Sequence, residues 1–342
     1  MPLLEVVPVR LRLRAPVRTA WGVLDERALL RVRLTWGGED FGLGEAAPLE
    51  PYDGVPPAAV AAALDAYAAV LRDASPDAEP GELLAACAAE RALPQALAAV
   101  DLALWDRAGR RAGRPVADLL AAGATPAVPV NATIGAEDRA GAAAQAAAAA
   151  AAGFGCVKVK VGVGDDAGRV AAVRAAAGAG VSVRVDANGA WGSPEEALAN
   201  LRALAPIGIE YAEEPVHGIA ALAAVRAESP VALAMDETAA EPGAAGSGAT
   251  DAVCLKIARC GGISGLLRDA AAARAAGSEV YVASSFDGPL GIAAGLHAAA
   301  ALGATRPLPA CGLATLAMFE GLDGVLEPRE GAIAIPTGPG LL

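Results

Sequence analysis

The sequence predicts an α/β protein: a (β/α)8-type barrel, a modified TIM barrel, with an N-terminal α+β capping domain that the C-terminal tail completes. Three observations carry this. From Val128 onward, eight apolar strand-like runs recur roughly 21 to 28 residues apart. Nearly every gap between them holds an alanine-rich helical segment. Strands alternating with helices imply βαβ units and a parallel sheet, and eight such units suggest a closed barrel. Before Val128 the pattern is different, with alternating strands followed by helices. An open doubly wound sheet is the competing architecture. No G-x-G-x-x-G opens any of the helices, which counts against a dinucleotide site.

The elements follow in order. "LEVVPVRLRLRAPV" and "ERALLRVRLTW" alternate apolar and polar residues, as half-buried antiparallel strands do. Helical patterns come next, at "PPAAVAAALDAYAAVLRDA" and "PQALAAVDLALWDRAGRRAG". Together they make the capping domain, residues 1–125. The barrel takes residues 126–315, with strands at "VPVNATI", "CVKVKVG", "VSVRVDANG", "GIEYAEEP", "VALAMDE", "AVCLKIA", "VYVASSF" and "LPACGL". Its weakest unit follows "VALAMDE", because "EPGAAGSGA" is a poor helix. Residues 316–342 read as turns and one short strand, expected to pack back on the capping domain.

Composition narrows the function. The 342 residues suffice for one large domain and a smaller one. A net charge of −12 disfavours a nucleic-acid surface. The five cysteines are odd in number and scattered, with no CxxC, which argues against disulfides or a zinc site and fits a reducing cytoplasm. "MPLLEVVPVRLRLRAP" has no continuous apolar core, so no signal peptide is expected. "GAAAQAAAAAAAGFG" lacks Leu, Ile and Val and is too short to span a bilayer; it is an alanine-rich helix.

Of the 27 Lys plus Arg, only Lys158, Lys160 and Lys256 are lysines, and all three sit in apolar strand-like runs. Unpaired charge is expensive there, and a buried lysine, unlike an arginine, can titrate as a base. The plain alternative is three leftover solvated lysines. In a barrel, sites form where strands end. Those ends carry Lys158 and Lys160, Asp186, Glu213 and Glu214, Asp236 and Glu237, and Lys256. Side chains alternate faces along a strand, so Lys158 and Lys160 point together into the barrel mouth. Asp186, Glu213 and Asp236 come from three successive strands and can converge. Unpaired they would repel, and a divalent cation resolves that. Oxygen ligands with no His or Cys nearby favour Mg2+, for which Mn2+ can substitute. Lys160 and Lys256 would flank the metal from opposite sides. The alternative is a buried salt-bridge network.

Other candidates are less specific. Asn188, Glu214 and Glu237 lie beside the cluster in sequence, Ser284 and Ser285 lie at the end of the seventh run, and all five are assigned to support the cluster or to touch substrate. Gly261 and Gly262 of "GGIS" offer backbone N–H groups at a helix start, either as an anion subsite or as a plain turn and N-cap. His217 and His297 are read as structural or solvated. Trp21 and Tyr52, in the capping segments Thr19 to Leu24 and Glu45 to Gly54, are expected to set substrate choice.

Such a site can remove a proton α to a carboxylate. The metal polarises the carboxylate, a lysine takes the proton, and the opposite lysine helps hold the enediolate. Lys158 would lower the pKa of its neighbour Lys160 by like-charge repulsion. The partner is then a small-molecule carboxylate, with no nucleic acid and no membrane; a homo-oligomer is left open.

The motifs "KVKVG", "VRVDANGAWG", "YAEEP", "MDET" and "LKIARCGGISGLL" resemble the enolase superfamily, in its muconate lactonizing enzyme subgroup, and the resemblance spans the whole chain. It implies Lys160 as the acid/base of a KxK pair with Lys158 assisting, Lys256 as the opposite lysine, and Asp186, Glu213 and Asp236 as metal ligands. Many members read Glu-Gln-Pro where this chain reads "EEP", so Glu214 adds a charge. "VNATI", "SSFDGPLGIAAGLHAAAALG" and "ACGLAT" are similar to o-succinylbenzoate synthases of the actinobacterial kind, which serve menaquinone synthesis. "RTAWG" and "GLGEAAPLEPYDG" resemble racemases and dipeptide epimerases equally well. Dipeptide epimerases carry Asp-x-Asp on the eighth strand, where this chain reads "PACGLAT". An N-acylamino acid racemase, a dipeptide epimerase, a cycloisomerase or another carboxylate lyase, and a metal-binding scaffold without catalysis stay open beside the synthase.

Overall fold

The computed structural model describes residues 1–19, 22–135 and 138–342. Trp21 lies outside them. Strands β1 (Leu3–Thr19), β2 (Gly22–Gly37) and β3 (Asp40–Ala46) form an antiparallel sheet in that order. Period-two burial puts Val32 and Leu34 of β2 on one face, against Val60, Leu64 and Tyr67 of helix Pro57–Leu71 and Val100 of helix Pro94–Ala112.

The second sheet is parallel. Its order is β11 (Glu279–Ala283), β10 (Ala252–Lys256), β9 (Ala232–Met235), β8 (Tyr211–Glu213), β7 (Ser182–Asp186), β6 (Cys156–Lys160) and β5 (Ala132–Ile134). The first expected run is divided: β4 (Ala127–Pro129) pairs instead with β12 (Ala332–Ala334) of the tail, antiparallel. The eighth run is shorter than expected. "PACG" makes only the parallel bridges Val130↔Cys311 and Ala283↔Gly312. Pro307 and Pro309 have no N–H for a longer ladder. Those bridges still close the ring: Cys311 N–H donates to Pro129 O at 2.7 Å and Gly312 N–H to Val282 O at 2.8 Å.

Local sequence explains the helices that cover the barrel. Asp138, Asp165 and Ser193 accept from the N–H groups of Gly141, Gly168 and Glu196 and so cap helices Arg139–Ala151, Asp166–Ala177 and Pro194–Leu204. In the alanine-rich first of these, Ala142, Ala146 and Ala149 make the buried stripe. After β9 there is no barrel helix. Two 3-10 turns, Glu237–Ala240 and Ala244–Gly246, take its place, as the Gly- and Pro-rich sequence suggests. Among the described residues no helix is long and apolar enough to cross a membrane.

Two buried carboxylates of the capping unit dock on barrel helices. Asp101 accepts from Ser264 N–H at 3.1 Å, at the start of helix Ile263–Ala275. Glu45 accepts from the N–H groups of Gly288 at 2.7 Å and Gly291 at 3.3 Å, at the start of helix Pro289–Gly303. The approach needs glycine: a Cβ on Gly262 would lie 2.5 Å from the Asp101 Cβ, and one on Gly288 would lie 2.4 Å from Glu45 Oε2. The tail also binds the capping unit. Glu320 N–H donates to Arg12 O of β1 at 2.9 Å, and Leu341 N–H to the buried Asp106 at 2.8 Å.

Candidate active site

Strand β6 alternates as its sequence demands. Val157 and Val159 pack outward on Ala142, Ala146, Val170 and Val173, while Lys158 and Lys160 face the barrel interior. Register places Lys160 beside Asp186, and Asp186 beside Glu213. Asp236 follows the last residue of β9, and Lys256 ends β10.

Amines and carboxylates interleave. Lys160 Nζ donates to Asp186 Oδ2 at 2.6 Å and to Asn188 Oδ1. Lys158 Nζ bridges Asp186 Oδ2 at 2.9 Å and Glu213 Oε1 at 3.0 Å. Lys256 Nζ pairs with Asp236 Oδ1 and donates to the Tyr52 hydroxyl at 2.6 Å. Lys160 and Lys256 thus bracket the three acids. The Lys160 side chain is 34% exposed against 15% for Lys158 and 9% for Lys256, so Lys160 is the amine a substrate meets most openly.

The charges shape one another. Burial would raise Asp186, but the ammonium groups of Lys158 and Lys160 prevail and hold its carboxyl well below the usual range. Burial likewise opposes ionised Asp236, and Lys256 and Lys158 outweigh it. Glu213 goes the other way: burial and then Asp186 raise it more than Lys158 and Lys256 lower it. Burial would lower Lys158 and Lys256, yet their carboxylates lift both well above the ordinary amine value. The charge of Lys158 is therefore spent on two acids in contact with it; the expected role as a tuner of Lys160 has no separate support in these contacts.

Three buried carboxylates at neighbouring strand ends make an oxygen donor set suited to a hard divalent cation. Carboxylate oxygens of Glu213 and Asp236 lie within 4.8 Å of each other and of Cys254 Sγ. That corrects the expectation of no cysteine nearby: Cys254 is two residues before Lys256 on the same inward face, a position parity in β10 reveals. Burial, then the charge of Asp236, push the Cys254 thiol well above its ordinary value, and a hard cation prefers the carboxylate oxygens to its sulfur. The donor chemistry of Asp186, Glu213 and Asp236 suits Mg2+ or Mn2+, and of the three it is Glu213 and Asp236 whose oxygens belong to the group lying within 4.8 Å of one another.

The surrounding candidates separate. Asn188, in the left-handed region at φ 45°, donates its backbone N–H to Asp186 Oδ1 at 3.1 Å and its Nδ2 to Glu237 Oε1 at 2.9 Å. Burial, then Asp236, push the Glu237 carboxyl up to about 8. Glu214 does not join the ligands. Its carboxylate accepts from the N–H groups of Asp236 at 2.8 Å and Thr238 at 3.0 Å, and faces His217 Nδ1 at 3.0 Å. It ties the end of β8 to the segment that carries Asp236. His297 is structural: it accepts from Ala117 N–H at 3.1 Å and meets Leu341 O at 3.0 Å.

Above the cluster opens a cavity of about 900 Å³. Ser284, Ser285, Thr315 and Tyr52 line it together with the apolar Phe154, Phe286 and Met318. Ser284 Oγ bonds Thr315 Oγ1 at 2.9 Å, and Ser285 Oγ is buried with no partner among the described residues. Tyr52 touches more than substrate space, since its hydroxyl lies 3.1 Å from Asp236 Oδ1. Pro16 and Val17 of β1 reach the rim. Gly261 and Gly262 are elsewhere. Gly261 lines a second cavity of about 710 Å³ beside the two 3-10 turns, which shares Asp236 and Lys256 with the first, and Asp101 accepts from Ser264 N–H at the helix start that the two glycines open. Asp101 thus occupies one N–H of this helix start. Sequence reasoning missed Tyr281, whose hydroxyl donates to Glu213 Oε2 at 2.8 Å. Its inward parity with Ala283 was the available signal.

Comparison with known proteins gives the family. Residues 3–121 match the mandelate racemase / muconate lactonizing enzyme N-terminal domain, and residues 141–341 the enolase C-terminal domain-like family. The chain belongs to this family of enolase-like lyases and isomerases. Over 178 residues it is 43% identical to an o-succinylbenzoate synthase of Mycobacterium bovis, a match covering 50% of this chain and 52% of the relative. The chain thus spans about half the length of the curated relatives it matches. Two solved structures cover 99% of it: muconate lactonizing enzyme from Pseudomonas fluorescens complexed with muconolactone (28% identity, 94% of that chain, TM-score 0.91) and the L-Ala-D/L-Glu epimerase from Bacillus subtilis (28%, 97%, 0.87).

Proposed function

We propose that the protein is a cytoplasmic o-succinylbenzoate synthase, removing a proton α to a carboxylate and then expelling a hydroxyl. The observation that carries the half-reaction is the bracketing of three buried carboxylates by Lys160 and Lys256. When bound, Mg2+ would polarise the substrate carboxylate and acidify its α C–H. Lys160, the most open amine, takes that proton in its neutral form and returns it to the departing hydroxyl as water. Asn188 and Asp186 hold Lys160 in place through its own N–H donors. Lys256, kept cationic by Asp236, offsets negative charge on the enediolate. The apolar wall of Phe154, Phe286 and Met318 suits a ring, and the buried Ser285 hydroxyl suits a polar substituent.

The choice of dehydration rests on two supports: the similarity to the mycobacterial synthase, and a closing segment, "PACGLAT", with no acid to bind a substrate ammonium. Lysines on both sides of the cluster also suit proton removal from one face and return on the other, so racemisation of an N-acylamino acid is the second reading. Purified protein with Mg2+ should convert 2-succinyl-6-hydroxy-2,4-cyclohexadiene-1-carboxylate to o-succinylbenzoate, with kcat/KM at least about 10⁴ M⁻¹s⁻¹. Inversion of N-succinylamino acids or dipeptides without that dehydration would replace synthase by racemase or epimerase. No solvent deuterium uptake into any of them would remove the half-reaction itself.

A further inference from the structure

We propose that Tyr281 is a positioning residue that limits Glu213 to one-oxygen coordination and so biases the site towards small octahedral cations. This rests on the metal reading above and not on the choice of substrate.

The hydrogen bond crosses the barrel. Tyr281 is on β11, three strands from the β8 that carries Glu213, and 68 residues separate the two in sequence. Both are essentially excluded from solvent. The two oxygens of Glu213 have different partners. Oε1 meets Lys158 at 3.0 Å, a flexible amine that a stronger cation can displace. Oε2 accepts the Tyr281 hydroxyl at 2.8 Å, from a rigid ring that cannot follow the carboxylate.

The ring is anchored from below. It stacks on Tyr211 with centroids 5.5 Å apart and planes 28° apart. The Arg184 guanidinium lies 4.5 Å from the Tyr211 centroid and 5.3 Å from that of Tyr281. Arg184 is itself held by Glu210 at 2.8 Å and by Ala310 O. Lys158 gives way and Tyr281 does not, so Glu213 presents Oε1 alone. Ca2+ accepts two-oxygen carboxylates and irregular shells, whereas Mg2+ and Mn2+ prefer one oxygen per corner of an octahedron. Orienting partners of this kind typically change metal affinity about 10- to 100-fold.

Tyr211 supplies the control. It belongs to the same stack, but its hydroxyl makes no hydrogen bond to a carboxylate of the site. The experiment measures Mn2+ and Ca2+ dissociation constants by titration calorimetry on the full chain after chelation and dialysis. It compares wild type, Tyr281→Phe and Tyr211→Phe, with melting temperatures alongside. Wild type should prefer Mn2+ over Ca2+ strongly. Tyr281→Phe should narrow that preference by about tenfold or more, and Tyr211→Phe should leave it unchanged. An unchanged preference in Tyr281→Phe, or an equal loss in both variants, overturns the role of Tyr281 while the metal reading stands. A wild type that binds Ca2+ as tightly as Mn2+ also overturns it, even if Tyr281→Phe fails to fold. A wild type that binds neither cation removes the metal reading itself.

Discussion

Two sets of buried carboxylates divide this molecule. At the barrel mouth, Asp186, Glu213 and Asp236 lie against ammonium groups. At the joint between capping unit and barrel, Asp101 and Glu45 lie against backbone N–H groups at helix starts. Asp186 and Asp236, although buried, are held below the ordinary carboxylate range by the lysines beside them. Burial, the largest influence at the joint, pushes Asp101 up to about 6 and Glu45 up to about 7. The difference teaches what a buried acid can be used for. Asp186 and Asp236, among flexible amines, stay ionised and can exchange those partners for a cation or a substrate. An acid closed against a helix start has partners that cannot leave, and it serves to dock one unit on another.

Removing the metal should break the comparison most completely. Activity should vanish with EDTA and return with Mg2+ or Mn2+. Activity that persists in protein shown metal-free by elemental analysis would make the mouth a salt-bridge network, no different in kind from the joint.

Next is Lys160→Arg, which preserves charge but not the titratable amine. We expect kcat to fall at least about 10²-fold, with Mn2+ binding retained. Solvent deuterium exchange into substrate, followed by NMR, separates the roles. Exchange at the wild-type rate would leave Lys256 as the only candidate base.

Glu45→Ala should act on the joint. It leaves the N–H groups of Gly288 and Gly291 buried without their acceptor, at a cost of roughly 1–3 kcal/mol in urea unfolding. The same segment carries Ser284, Ser285 and Phe286 of the cavity, so KM should rise more than kcat falls. A variant with wild-type stability and KM would show that Glu45 docks nothing.

The smallest effect is in pH. Glu45 has a folded pKa of about 7, above its ordinary 4.5, so the folded state binds the extra proton between those values. Stability from this group is full at the acid end and is lost as pH rises through about 7. Asp101 and Asp287, each raised to about 6, act in the same direction. The melting temperature should therefore decline from pH 5 to pH 7.5, and Glu45→Gln should flatten that slope. A variant with the wild-type slope would assign the decline to the other raised acids, Asp101, Asp287 and Glu237.

The sequence by itself determined the barrel rhythm, the weakness of the unit after β9 and the lysine-carboxylate cluster. These are local properties. Period-two parity along "CVKVK" decides that its lysines share a face, and "EPGAAGSGA" cannot sustain a helix whatever surrounds it. Only the tertiary structure decided that Glu214 turns from the cluster to hold the Asp236 backbone, that Asp101 caps the helix start at Gly262, and that Tyr281 reaches Glu213. It also showed that the eighth strand shrinks to two bridges and that Cys254 lies beneath the acids. In each of these cases the deciding partner sits on another strand or in another domain. A hydrogen bond across 68 or 163 residues leaves no periodic trace in the chain, because its geometry exists only once the intervening strands and helices have packed.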